Sequence, residues 1–257
     1  MRVETAAAAK DVVVCHNMEG AAGVLLVCEH ASRYIPSGLN DLGLSPAHLD
    51  SHAVWDPGAM AVATHMANLL DARLVAGAVS RLVYDCNRAP GAVDAMPARS
   101  ERVDVPGNAA LSTVERARRL AEYYTPFHDA VAGALVTMTT PTLVTVHSFA
   151  PVWHGRTREV EIGILHDDDR RLADAMLATA PSGHDIRRNE PYGPADGVTH
   201  TLREHALPFG HPNVMIEVRN DLIAQAEQQQ TMAEILADWL TRSITTLDTQ
   251  GRTAWTA

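Results

Sequence analysis

The chain has 257 residues, 46% of them hydrophobic and 20% charged, a composition that can bury a substantial core in one sizeable globular domain. Its formal net charge of −10, with no block rich in Lys or Arg, leaves no electrostatic footprint for nucleic acid or an anionic membrane. Three cysteines, Cys15, Cys28 and Cys86, are too few for a disulfide framework, and two sit at strand-like positions, so reduced thiols and a cytoplasmic location are expected.

Met1 to Lys10 lack the apolar stretch of a signal peptide, and no later run approaches the ~20 apolar residues that span a bilayer. Residues 1 to about 20 read as a loosely held lead-in, and the tail after Gln250 reads alike, with Trp255 as its anchor. A first strand, Val24 to Cys28, leads into a loop containing Pro36, Gly38 and Gly43. Asp56-Pro57 has the chemistry of an N-cap followed by a first helical position, predicting a helix through Leu70. Strands follow near Arg73 to Ala76 and Leu82 to Asp85. The proline-containing stretch from Ala89 to Gly107 predicts a long loop, and long ordered loops are often functional. Ser112-x-x-Glu115 is a capping box opening a helix with a kink or break at Pro126 and an end near Met138. Then come strands at Thr142 to His147 and Glu161 to Leu165, a short helix near Arg170 to Ala178, and a second long loop from Pro181 to Gly197. A strand at Val214 to Val218 and a helix from about Leu222 to Ile244 close the chain. This alternation predicts one α/β domain, with its core at about residues 23–245: three α/β/α layers around a mixed, mostly parallel sheet.

The apolar runs end in polar groups. Val24–Cys28 runs into Glu29-His30, Leu82–Tyr84 into Asp85-Cys-Asn-Arg88, Leu143–Val146 into His147, and the last strand carries Glu217 and Arg219. Ligands of open α/β sheets bind beyond the carboxyl ends of the strands, so these groups are candidates for one centre. Glu217 and Arg219, two apart on a strand, point to the same face. Two histidines and a carboxylate with an open position form a common catalytic zinc arrangement, which singles out His30 and His147. Other histidines, such as His65 and His128, read as structural or solvated. His52 precedes Asp56 by four, but Pro57 starts the helix, so the two need not share a face.

The segments Cys28-Glu-His-Ala-Ser-Arg-Tyr-Ile-Pro36, Trp55-Asp-Pro-Gly-Ala59, Ser80-Arg-Leu-Val-Tyr-Asp-Cys-Asn-Arg88, Val146-His-Ser-Phe149, Asn189-Glu-Pro-Tyr192 and Ile216-Glu-Val-Arg-Asn-Asp221 together resemble the N-formylglutamate amidohydrolase family over roughly residues 23 to 245. Each motif is short; their order and spacing carry the resemblance. The family is related to zinc carboxypeptidases and aspartoacylases, which implies a carboxypeptidase-like (phosphorylase/hydrolase-like) fold and one zinc ion, Zn2+. By the same resemblance His30 and His147 are metal ligands, Glu217 is the general base, and Asn87 and Arg88 hold a substrate carboxylate with Arg81 as a nearby helper. The carboxypeptidase pattern has a glutamate three residues after the first histidine, where this chain has Arg33. The carboxylate ligand therefore comes from elsewhere, Asp56 first and Glu29 next.

The implied chemistry asks for these residue types. Zinc acidifies a water and polarises an amide oxygen, Glu217 moves the proton, and an arginine shares the developing oxyanion. A substrate with two carboxylates needs two planar guanidiniums, for which Arg88 and Arg219 are the candidates, with Arg81 in reserve. The expected function is hydrolysis of N-formyl-L-glutamate, a small-molecule substrate, to formate and glutamate. The alternatives are deacylation of another N-acyl acidic amino acid, cleavage of a small peptide, and metal-stabilised binding of acidic metabolites without turnover.

Overall fold

A seven-stranded sheet organises the chain in the computed structural model, which describes residues 12–253. In chain order the elements are β1 (Val13–His16), β2 (Val24–Cys28), α1 (Ala59–Leu70), β3 (Arg73–Gly77), a hairpin of β4 (Arg99–Ser100) and β5 (Val103–Asp104), α2 (Thr113–Arg119), α3 (Thr125–Val136) and β6 (Thr142–Phe149). A second hairpin of β7 (Val152–Trp153) and β8 (Arg156–Thr157) follows, then β9 (Ile162–Leu165), α4 (Arg171–Ala178), β10 (Ile186–Arg188), α5 (His200–His205), β11 (Asn213–Arg219) and α6 (Ala226–Thr253).

The sheet order is β1-β3-β2-β6-β11-β9-β10. β3, β2, β6 and β11 are mutually parallel. β1 runs antiparallel on β3, and β9 antiparallel to β11 with β10 parallel to β9. This is the mixed, mostly parallel sheet that alternating elements demand. Alternate residues of the central strands feed two cores: Leu25, Val27, Leu143 and Met215 face one side with Phe127 and Val131 of α3, while Leu26, Val144 and Ile216 face the other with Val62, Leu172 and Trp239 of α1, α4 and α6. Strands buried on both faces read as continuous apolar runs, as these do. Trp239 is fully buried and its indole N–H donates to the Met176 carbonyl at 2.8 Å, fastening α6 to α4.

Several local expectations are corrected. Leu82 to Tyr84 is a buried turn and not a strand, because the Val83 and Leu82 amides are consumed by the Ser80 carbonyl and hydroxyl at 2.9 and 3.1 Å. The first helix starts at Ala59 because Gly58 adopts φ +83°, a left-handed conformation outside any right-handed helix. The capping box at Ser112 is present, and the irregularity at Pro126 takes the form of a π-helical turn, Leu120–Tyr124, which leaves Pro126 in the tolerated first turn of α3. Part of the lead-in forms β1, and the loop from 181 to 197 contributes β10. The lead-in before residue 12 and Trp255 lie outside the described residues. No helix among the described residues is long and apolar enough to cross a membrane.

Candidate active site

Three strand ends meet at one place. β2 runs out into Glu29 and His30, and the His30 carbonyl accepts the Asp56 amide at 3.0 Å, which latches the segment before α1 against the strand exit. β6 and β11 are paired with His147 opposite Glu217, so both side chains rise from the same sheet face. Asp56 then lies between the histidines: its Oδ2 is 3.3 Å from His30 Nδ1 and 2.9 Å from His147 Nδ1, and it accepts the Ser148 amide at 3.3 Å. The two imidazoles stand edge to face with centroids 4.8 Å apart.

The outward ring nitrogens face carboxylates as well. His30 Nε2 is 2.7 Å from Asp85 Oδ1, and His147 Nε2 is 3.0 Å from Glu29 Oε2. The Asp85 carboxylate behind His30 fixes that ring's tautomer and turns its Nδ1 toward Asp56, an arrangement that habitually supports a metal-ligating histidine, while Glu29 sets a negative charge behind His147 without a hydrogen bond to its Nε2. His30, Asp56 and His147 offer ligand atoms within 4.8 Å of one another, all buried. The donor set of two imidazoles and one carboxylate suits a divalent transition metal. Asp56, not Glu29, faces both Nδ1 atoms.

Electrostatics point the same way. Burial would raise the Asp56 pKa, but the His30 charge and hydrogen bonds from His147 and His30, with the Arg81 charge, hold it well below the carboxylate range. Burial would lower the His147 pKa, but the Glu29 charge and the Asp56 hydrogen bond push it well up. The cluster therefore demands positive charge, which a proton or a metal ion satisfies. Glu217 goes the opposite way: burial first, then the Asp56 charge, raise it to about 7 against His147, His52 and Arg81. Its Oε2 is buried without a hydrogen-bond partner.

These residues form the floor of a cavity of about 300 Å3, at the small end of the range for ligand pockets. Arg81 reaches it from the Ser80 turn and bridges Asp56 and Asp85 at 3.2 Å each. Asn87 and Arg88 also line it. The Asn87 amide donates to Val198 O at 2.5 Å and accepts from the Thr201 amide at 3.0 Å, so it ties the loop before α5 to the site. Arg88 pairs with Asp94 at 2.7 Å. Arg219 is placed otherwise than its strand position suggested. It is not among the residues lining the cavity, and its guanidinium binds Asp221 at 2.8 Å and Glu161 at 3.5 Å, because β9 and the segment before it offer carboxylate and carbonyl partners at the strand end.

The sequence marks Asp85 among the polar groups that end the apolar runs but gives it no role, and gives none to His52, Glu101, Trp153 or Tyr192; all five line the cavity. Asp85 was within reach, as a buried acid inside the Ser80–Arg88 motif. His52 lies 3.5 Å from Asp56 and 2.7 Å from Glu101 of the first hairpin, and only the tertiary path of that hairpin reveals the pairing.

A family model for N-formylglutamate amidohydrolase matches residues 22–224, a span that contains every one of these site residues. The chain belongs to that family. The gene product Atu2144 of Agrobacterium tumefaciens has a crystal structure similar to this one, with 51% sequence identity, a TM-score of 0.91, and coverage of 93% of this chain and 97% of that one. N-formylglutamate amidohydrolase from Ralstonia eutropha JMP134 shares the fold at 19% identity and a TM-score of 0.62, covering 94% of this chain and 98% of its own. No curated protein matches the chain. The α/β fold and the membership of an amidohydrolase family thus stand together with a site whose buried donors can hold a metal ion.

Proposed function

We propose that the chain hydrolyses N-formyl-L-glutamate, or a closely similar N-acyl acidic amino acid, to formate and glutamate, with one zinc ion held by His30, Asp56 and His147. Family membership supports the substrate class. The observation that carries the mechanism is the convergence of two buried Nδ1 atoms on one buried carboxylate, with the partnerless Glu217 oxygen buried beside them. When bound, such an ion polarises the scissile carbonyl and brings the pKa of a water toward 7.

Glu217 takes the proton of the attacking water and delivers it to the leaving amine, a task suited to a carboxyl poised near neutrality. Arg81, fixed by Asp56 and Asp85, donates to the carbonyl oxygen as charge develops there. Arg88 takes the α-carboxylate, exchanging for it the exposed Asp94. Asn87 keeps the loop before α5 closed against this end of the cavity. The reading is tested by measuring formate release from N-formyl-L-glutamate by protein stripped with chelator and reloaded with zinc. Zinc-restored release is the expected result; no release from the reloaded protein would overturn it.

A further inference from the structure

Three arginines that line the cavity are committed to carboxylates: Arg81 to Asp56 and Asp85, Arg88 to Asp94, and Arg99 to Asp104. A substrate with two carboxylates asks for one more guanidinium. Arg158, half-buried beside the cavity, has no ion-pair partner among the described residues. Its guanidinium carbon lies 4.8 Å from the ring centres of Trp153 and of Tyr192 and 5.4 Å from that of Phe149, and Nη1 donates to the Ala150 carbonyl at 3.2 Å. Trp153 and Tyr192 line both the cavity and an adjoining recess whose wall includes Arg158. Trp153 and Tyr192 stand nearly perpendicular to each other, at 85°, so the guanidinium is caged by ring contacts rather than stacked on both, and the N–H groups not used by the Ala150 carbonyl and the Tyr192 side chain remain for a carboxylate.

The backbone around Arg158 is also fixed, and here Arg219 finds its place. Arg219 Nη1 donates to the carbonyls of Arg158 and Glu159 at 3.2 and 3.1 Å, and its charge is held by Asp221 and Glu161. β11, which carries Glu217, thus clamps the segment that presents Arg158. The chain from His147 through Phe149 and the second hairpin returns to Arg158, so the candidate ligand strand and the candidate carboxylate receptor are joined by one short excursion.

We infer that Arg158 is the specificity-determining residue of the reaction proposed above, the guanidinium that takes the substrate's side-chain carboxylate, with Arg219 as its positioning residue. This inference rests on that reading for the identity of the substrate. The test compares binding of L-glutamate and L-glutamine, which share the α-carboxylate and differ in side-chain charge, by calorimetry on the wild type, Arg158→Met and Arg158→Lys. Glutamate binds the wild type more tightly by about tenfold or more, the worth of a charged hydrogen-bonded contact; Arg158→Met abolishes that margin and Arg158→Lys keeps part of it. The ratio within one variant cancels any loss of folded protein. A margin unchanged in both variants, or absent from the wild type, overturns the assignment. Formate release by the wild type is scored separately: its absence defeats the hydrolase reading, while the glutamate margin still decides the role of Arg158.

Discussion

Glu217 and the carboxylates behind the histidines make opposite demands on protons, and that contrast sets what substitution should do. Glu217→Gln keeps the shape but accepts no proton, so turnover should fall by about 10²–10⁴-fold while metal content, measured by elemental analysis, stays at the wild-type level. Loss of metal together with turnover would make Glu217 a ligand. Because burial and Asp56 raise Glu217 to about 7, wild-type activity should decline as pH falls below about 7, where the base becomes protonated. The rate of Glu217→Gln should lack that limb. Asp85→Asn removes the charge behind His30 Nε2 and should weaken metal binding by about 10–100-fold, read by competition with a chromogenic chelator. Unchanged affinity would mean that Asp85 serves Arg81 alone. The residue types at the strand ends were legible in the sequence because each apolar run stops abruptly at a polar group. The sequence ranks Asp56 ahead of Glu29, but the position of Asp56 between the two Nδ1 atoms was not legible there, because the path of the chain into α1 sets it.

At the scale of elements, the site depends on how closely β3 approaches the exit of β2. A Cβ on Gly77 would lie 2.3 Å from the Glu29 carbonyl oxygen, so Gly77→Ala must push back the segment that carries Glu29 and His30. The expected cost is about 1–3 kcal/mol of stability, measured by denaturant unfolding, with reduced metal content at the same time. Gly133 in α3 is the control: nothing lies within 4 Å of its Cβ position, and Gly133→Ala should stabilise by about 0.5–1 kcal/mol. A Gly77→Ala variant as stable as the wild type, with full metal content, would show that the strand exit yields and that close approach does not govern Gly77. The start of α2 was readable to the residue from its capping box, because such caps are local hydrogen bonds. Leu82 to Tyr84 misled because apolar side chains mark burial whether the backbone is a strand or a turn, and the Ser80 hydrogen bonds decide between them.

The whole molecule carries a second titrating cluster, away from the cavity floor. His205 is packed against His128 with ring centroids 4.4 Å apart, and His200 meets the Tyr124 hydroxyl at 2.9 Å. Burial first, then the charges of His128 and His200, lower the His205 pKa from 6.5 to about 4. The unfolded chain takes up a proton as pH falls through 6.5 that the native state refuses until about 4. Stability from this group is therefore complete above the unfolded value and is lost as pH drops across that window, by on the order of 1–3 kcal/mol. Urea unfolding at pH 7.5 and pH 5 should show the decline in the wild type and a smaller one in His205→Gln. Glu29, Asp56 and Asp85, whose pKa values are held below their ordinary range, add a separate loss at still lower pH, as they protonate.

The sequence alone determined the α/β alternation, the burial of the central strands and the clustering of polar residues at their carboxyl ends, because periodicity, caps and turn chemistry act over a few residues. It also carried the family, through the order and spacing of short motifs. Tertiary structure decided which of those polar residues touch. His147 meets Glu217 because β6 and β11 pair in one register, His52 meets Glu101 through a hairpin 49 residues away, and Arg219 leaves the cavity lining to hold the backbone of Arg158. Contacts of that kind are fixed by strand register and loop path. Both follow from the packing of the two cores as a whole, so no local stretch of sequence specifies them.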